Sequence, residues 1–423
     1  MTRFFLLLLF AAFSARSATY RGALDPAFDK IPFDKWLGEA DQSGIHWTVS
    51  VPKAELSFHQ RLVEPIQVTI DGRDLDPRRS HGKLGLLVQI TDGAGTRFQD
   101  HDSLELGKLD ENVRAANIQY TWKAFVVPGE YRLAVAIVDT SNGDHSAKQV
   151  QFKVVAPQHD PLLTDAWRDL PPVEFLGKQE PPDGWFLPAI QGKLAWAASV
   201  HSPARVNVIL NVAPSVPVPG TRRPQSEGMA ALIPTLKAIS QTGSPSIVEN
   251  VELLDLARRK AVFQQKQVHD LDWPRLQESL GVANTASIDV HSLSERHTDA
   301  QFFVSQVRSM LRGSEAGCVL VVLTKPVAFD SGEDLEPIST EGLPDCRVVY
   351  IRYTPAIPRA AANPFDRQMG GRRGRMGGPM QRGRALPEID QLEGTLKPLK
   401  PKVYDVEKPE QITKAMAEIL KSL

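Results

Sequence analysis

Arg205-Val-Asn-Val-Ile-Leu210 runs directly into Asn211-Val-Ala-Pro-Ser215, and the reading of this junction decides the fold of the C-terminal half. Four of those first six residues, Val206, Val208, Ile209 and Leu210, have the apolar or β-favouring character of a short strand, and a loop follows at once. Working outward, strands alternate with helices. Lys193 to Val200 and Arg205 to Leu210 flank a Ser202-Pro203 turn. Ser226 is expected to cap a helix with Met229, Leu232, Ile233, Leu236 and Ile239 on one face, closed by Gly243 and disturbed by Pro234. Val248 to Leu256 and Lys260 to Gln267 form a hairpin around Arg258-Arg259. Thr298-Asp-Ala-Gln301 is a capping box before Phe303, Val307, Met310 and Leu311.

Cys318-Val-Leu-Val-Val-Leu323 and Cys346-Arg-Val-Val-Tyr-Ile351 are continuous apolar runs, as a sheet covered on both faces requires. Val403 to Val406 is a last short strand, and Pro409 opens a helix with Ile412, Met416, Ile419, Leu420 and Leu423 on one stripe. Residues 191–423 are therefore expected to form a doubly wound, mostly parallel α/β domain. If the two cysteine runs are neighbouring parallel strands, Cys318 and Cys346 lie near one end of the sheet. Their Cα atoms then fall within the spacing a disulfide tolerates, the alternative being two buried thiols.

The N-terminal half has another rhythm. Residues 45–156 carry short β-like runs broken at Asp71-Gly72 and Asp92-Gly93. Asn142-Gly143 between two alternating runs is a strong hairpin signal. The expected fold is an antiparallel, immunoglobulin-like β-sandwich. Residues 18–44 read as an N-terminal extension and the proline-dense residues 157–190 as a linker, with Trp167 and Trp185 packing part of it onto a domain.

Residues 1–17 read as an export signal: Arg3, a continuously apolar run from Phe4 to Phe13, and small residues at Ala15 and Ser17. The apolar run is too short to span a bilayer, no later segment is apolar enough, and a periplasmic or secreted protein without a transmembrane segment is expected. A length of 423 residues sets an expectation of two domains, and a net charge of −1 excludes a chain-wide footprint for nucleic acid. Locally, residues 359–384 hold seven arginines against Asp366. That Arg/Gly-rich tract cannot build a core and is read as a disordered insertion that could touch polyanions, with no specific nucleic acid implied.

The order of elements from Gln191 to Leu423 resembles the von Willebrand factor type A domain, most closely the type A-related proteins of acidobacterial genomes. Asn250 to Gln267 looks like its central strand with an antiparallel edge strand, and Val319 to Thr324 like the strand that ends in Thr-Asp-Gly. The resemblance implies a metal ion held by Asp, two Ser, Thr and a second Asp at the carboxyl ends of the strands. Here those positions carry Asn211, Ala213, Ser215, Thr298 and Lys325. Both carboxylates are lost, and an ammonium beside a dication is repelled by on the order of several kcal/mol. No metal or other cofactor is therefore expected. Asn211, Ser215, Thr298 and Lys325 become candidates for binding a partner's carboxylate directly.

Competing readings stay open. Asp330 or Glu333 could replace the lost ligands in a metal-dependent adhesion module. The Arg/Gly tract could bind polyanions, or the chain could be an enzyme of unrecognised type. His269-Asp-Leu-Asp272 and Asp289-Val-His291 lack a third ligand at diagnostic spacing, and Arg222-Arg223 reads as solvated. The expectation is an exported, non-catalytic protein that binds an unknown protein partner.

Overall fold

A computed structural model describes residues 25–80, 82–158, 164–176, 192–195, 205–213, 226–241, 248–268, 270–285, 299–327, 337–354 and 390–422. The chain divides into two compact units between Ala195 and Trp196. The export signal expected at 1–17, the Arg/Gly tract and Asp330 and Glu333 lie outside the described residues.

The first unit packs two antiparallel sheets. One holds β1 (Trp47–Ser50), β3 (Leu62–Asp71), β6 (Asn117–Val126) and β9 (Val173–Leu176) in that order, with β2 (Glu55–Leu56) also on β3. The other runs β5 (Arg97–Glu105), β4 (Lys83–Thr91), β7 (Gly129–Asp139), β8 (His145–Val154). The alternate positions Leu62, Ile66, Val68 and Ile70 of β3 meet Leu84, Leu86, Val88 and Ile90 of β4 in one shared core, as the two-residue period of a strand dictates. Asn142-Gly143 makes the β7–β8 hairpin, with Gly143 at φ 81°, a left-handed position that suits glycine. At the start of β7 the Tyr131 hydroxyl donates to the Val127 carbonyl at 2.8 Å, the geometry of a tyrosine corner.

Two boundaries differ from the sequence reading. The extension expected at 18–44 covers the sandwich from Asp25 onward: Phe28, Ile31, Phe33 and Trp36 pack on Leu87, Ala134, Ala136 and Val138. This explains why β4 and β7 are buried on both faces, where alternation alone would leave one face wet. The linker expected at 157–190 is not one throughout. Val173–Leu176 is strand β9, antiparallel to β6, and Trp167 Nε1 donates to the Gln60 carbonyl at 2.9 Å. Pro171 and Pro172 hid that strand. Yet their carbonyls need no N–H of their own, and Val127 N donates to Pro172 O at 3.1 Å.

The second unit is built on a six-stranded mixed sheet: β12 (Lys260–Lys266), β11 (Val248–Asp255), β10 (Val206–Asn211), β13 (Val319–Thr324), β14 (Arg347–Tyr353), β15 (Lys402–Val406). Every neighbouring pair is parallel except β11 with β12. Arg259, left-handed at φ 50°, turns that antiparallel corner. Among the described residues five α-helices accompany the sheet: α1 (Ser226–Ser240), α2 (Trp273–Thr285), α3 (Asp299–Arg312), α4 (Gln391–Leu396) and α5 (Pro409–Ser422). Ile209, Leu320, Val322, Val348 and Tyr350 face Phe303, Val307 and Leu311 of α3 and Leu392 and Leu396 of α4. The alternate positions Val208, Leu210, Val321 and Leu323 are fully buried on the opposite face. There α1 lies across β10, β13 and β14, and α5 along β14 and β15.

At the amino ends of β13 and β14 a disulfide joins Cys318 to Cys346, whose Cα atoms are 4.6 Å apart. Of the strand expected at Lys193 to Val200, residues 196–200 lie outside the described residues; Gly192 to Ala195 is not part of a sheet, and Ala195 N donates to the Ala166 carbonyl at 2.8 Å. The α/β unit thus begins after Ala195 instead of at residue 191. No helix among the described residues is long and apolar enough to cross a membrane.

Candidate functional site

Parallel pairing of β10 with β13 sets Leu210 opposite Leu323, so Asn211 and Thr324 finish side by side at the carboxyl rim. Asn211 is buried and fully engaged. Its Nδ2 donates to Thr324 Oγ1 at 3.1 Å, and its Oδ1 accepts the Ala213 N–H at 3.0 Å. Thr324 passes the chain on, its hydroxyl donating to the Lys325 carbonyl at 2.8 Å. An aspartate in place of Asn211 could accept from Ala213 and from the hydroxyl but could not donate. The amide therefore stabilises a rim that carries no charge at this point.

The Lys325 carbonyl accepts from the Thr324 hydroxyl. Beyond it, Val327 N donates to Asp390 Oδ1 at 3.2 Å, and Gln391 N donates to Val327 O at 2.9 Å, tying the segment to the start of α4. Its half-buried side chain lies along the first turn of α1 at Gly228. A Cβ at that position would stand 2.5 Å from Lys325 Cδ and 3.1 Å from Nζ, so the glycine makes room for the stem. The structure thus brings Asn211 and Lys325 to one rim. Ser215 and Thr298, the other two candidates, lie outside the described residues.

Two carboxylates at the ends of described elements of this unit are already paired. Asp255, at the end of β11, pairs with Arg258 at 2.5 Å, and Asp299, the first residue of α3, pairs with Arg259 at 3.0 Å. On the β14 side, Arg352 gathers Asp390, Glu393 and Asp405 at 2.9, 3.1 and 2.6 Å, and the Tyr350 hydroxyl donates to Asp390 at 2.7 Å. Hydrogen bonding to Asp405 and Asp390 raises the Arg352 guanidinium further, and burial pushes the Tyr350 hydroxyl up. This second cluster holds α4 against β14 and β15 and leaves no group poised to exchange a proton.

Sequence reasoning missed two helices here and misjudged one acid. Asp272, considered above as half of a metal pair with His269, caps α2 instead: Arg275 N donates to its Oδ1 at 3.2 Å. The signal was present in Asp272-Trp-Pro-Arg, an acid at the cap with proline just inside the helix. His269 itself and Asp289-Val-His291 lie outside the described residues.

No family profile matches this chain, and no curated protein matches it. Among solved structures, an ApaA protein from Bordetella pertussis is 21% identical and covers 27% of this chain and 96% of its own, with a TM-score of 0.19. A further structural-genomics target is 18% identical over 29% of this chain and 96% of its own, with a TM-score of 0.18. A family 2 glycosyl hydrolase from Bacteroides cellulosilyticus DSM 14838 is 9% identical, covering 74% of this chain and 42% of its own, with a TM-score of 0.17. Likenesses this low carry no argument about function.

Proposed function

We propose that this chain is an exported, non-catalytic binding protein whose second unit is a type A-like domain that works without a metal ion. Lys325 receives a carboxylate of the partner protein at the carboxyl rim of β10 and β13. The observation that carries the reading is the bracing of Lys325 where the resemblance would put a carboxylate ligand. Its carbonyl is held by Thr324, Val327 two residues on is tied to Asp390 and Gln391, and its stem is seated on Gly228. An ammonium whose approach is already ordered loses less conformational entropy on pairing, which is how a charged contact gains affinity. The antiparallel strand β12 beside β11 supports the type A-like reading, as does the amide replacing an acid at Asn211. Export is supported by the apolar N-terminal run and by the Cys318–Cys346 disulfide, a bond that persists in oxidising compartments.

The test is fluorescence anisotropy of the full chain with a labelled peptide rich in glutamate and aspartate, with and without EDTA. Binding should survive the chelator and weaken about tenfold or more in Lys325→Glu, the loss of one charge-assisted contact. Binding abolished by EDTA, or unchanged in Lys325→Glu, would overturn the proposal.

A further inference from the structure

We infer that Asp25, Asp100 and His101 form a divalent transition-metal site, matched best to Zn²⁺, that latches the N-terminal segment onto the edge strand of the sandwich. One ligand atom from each of the three lies within 4.8 Å of the other two, the grouping of this kind found among the described residues. The His101 Nδ1 stands 2.5 Å from Asp25 Oδ2, so two of the three are already in contact.

The topology explains how residues so distant in sequence meet. Asp100 and His101 are consecutive on β5, paired with Val88 and Leu87 of β4. Consecutive side chains of a strand leave on opposite faces and ordinarily diverge. But β5 is the edge of its sheet, and there two neighbours can turn around the open side toward one point. Asp25 arrives at that side as the N-terminal segment begins to cover Leu87 and Ala136 with Phe28 and Phe33.

Asp25 is oriented by a buried chain of amides that belongs to no other site. Gln99 Nε2 donates to Gln89 Oε1 at 2.7 Å, Asp25 N donates to Gln99 Oε1 at 3.2 Å, and Ala27 N donates to Asp25 Oδ1 at 3.0 Å. Gln89, Gln99 and Asp25 are each less than one-tenth exposed. Outer partners of this kind fix the direction of ligating groups in metal sites. One imidazole nitrogen with carboxylate oxygens is a donor set that zinc accepts, with three protein ligands and a fourth position open. At such N and O donors Zn²⁺ binds more tightly than Mn²⁺ or Fe²⁺.

A simple hydrogen-bonded staple between Asp25 and His101 would hold the segment without Asp100, and this separates the two possibilities. The full chain is dialysed against ZnCl₂, its bound zinc measured by mass spectrometry, and its affinity by competition with a chelating dye. The natural protein should retain one zinc per chain. Asp100→Asn should weaken zinc by about tenfold or more. His101→Ala should abolish retention. Folded natural protein that retains no zinc, or zinc held equally well by Asp100→Asn, would overturn the site.

Discussion

The two units differ in the ionisable groups they bury. In the sandwich, beside buried amides such as Gln89 and Gln99, Arg61 meets Glu174 at 2.5 Å with its guanidinium 4.3 Å from the Phe125 ring centroid. Glu64 faces inward in the row of Leu62, Ile66 and Val68, and its Oε1 has no hydrogen-bond partner among the described residues. In the mixed sheet the central groups are neutral and linked. Asn250 Nδ2 donates to Asn207 Oδ1 at 2.7 Å, Asn207 Nδ2 to Ser314 Oγ at 3.0 Å, and Asn211 to Thr324. Ionisable groups are buried here as well: Asp255 is paired with Arg258, and at Glu252 burial raises the carboxyl while Gln264 donates to it. A buried charge makes stability depend on pH, whereas a buried amide gives fixed geometry at any pH. Glu64 is the group from which the first unit's pH dependence is expected, while the Asn211–Thr324 contact of the second contains no carboxyl.

The largest expected effect breaks the charged side of that contrast. Arg61→Met strands Glu174 in the core and should cost about 3–5 kcal/mol in denaturant unfolding. A cost near zero would mean water already reaches the pair. Next comes the second unit's covalent tie. Reducing Cys318–Cys346 opens a loop with a sequence separation of 28, which on chain-entropy grounds removes about 3–4 kcal/mol.

The third effect is a dependence on pH. Burial pushes the Glu64 carboxyl up from its ordinary 4.5 to about 7. The folded state therefore holds that proton longer than the unfolded chain does. Its contribution is complete below pH 4.5 and is lost as pH rises to about 7, on the order of 3 kcal/mol in total. Glu64→Gln should flatten this slope in melting experiments across that range, and a slope that persists would assign it to another group. The smallest effect sharpens the neutral side. Asn211→Ala leaves Thr324 and the Ala213 N–H without their partner and should cost about 1–3 kcal/mol, with no change between pH 5 and pH 8.

Continuous apolar runs made the buried strands β10, β13 and β14 legible, and Asn142-Gly143 marked its hairpin, because each signal is local. β9 was not, since two prolines masked it and its order comes from pairing with β6 and from the Arg61–Glu174 contact. The covering role of Phe28 and Trp36 was invisible for a similar reason: only a sheet already buried on its inner face shows what its outer face lacks. Of the candidate site, Asn211 and Lys325 followed from the resemblance. The glycine that seats the lysine did not, because Gly228 has meaning only once α1 lies beside β13. The grouping of Asp25 with Asp100 and His101 spans more than seventy residues and has no spacing to read.

The proposed metal-free rim is tested most directly by paramagnetic Mn²⁺ in amide NMR spectra of the full chain. The amides of Val212, Ala213 and Lys325 should stay sharp in the natural protein and broaden when Asn211 and Lys325 are both replaced by aspartate. Broadening of those three amides in the natural protein would show a metal seated among them and would contradict the proposed mode of binding.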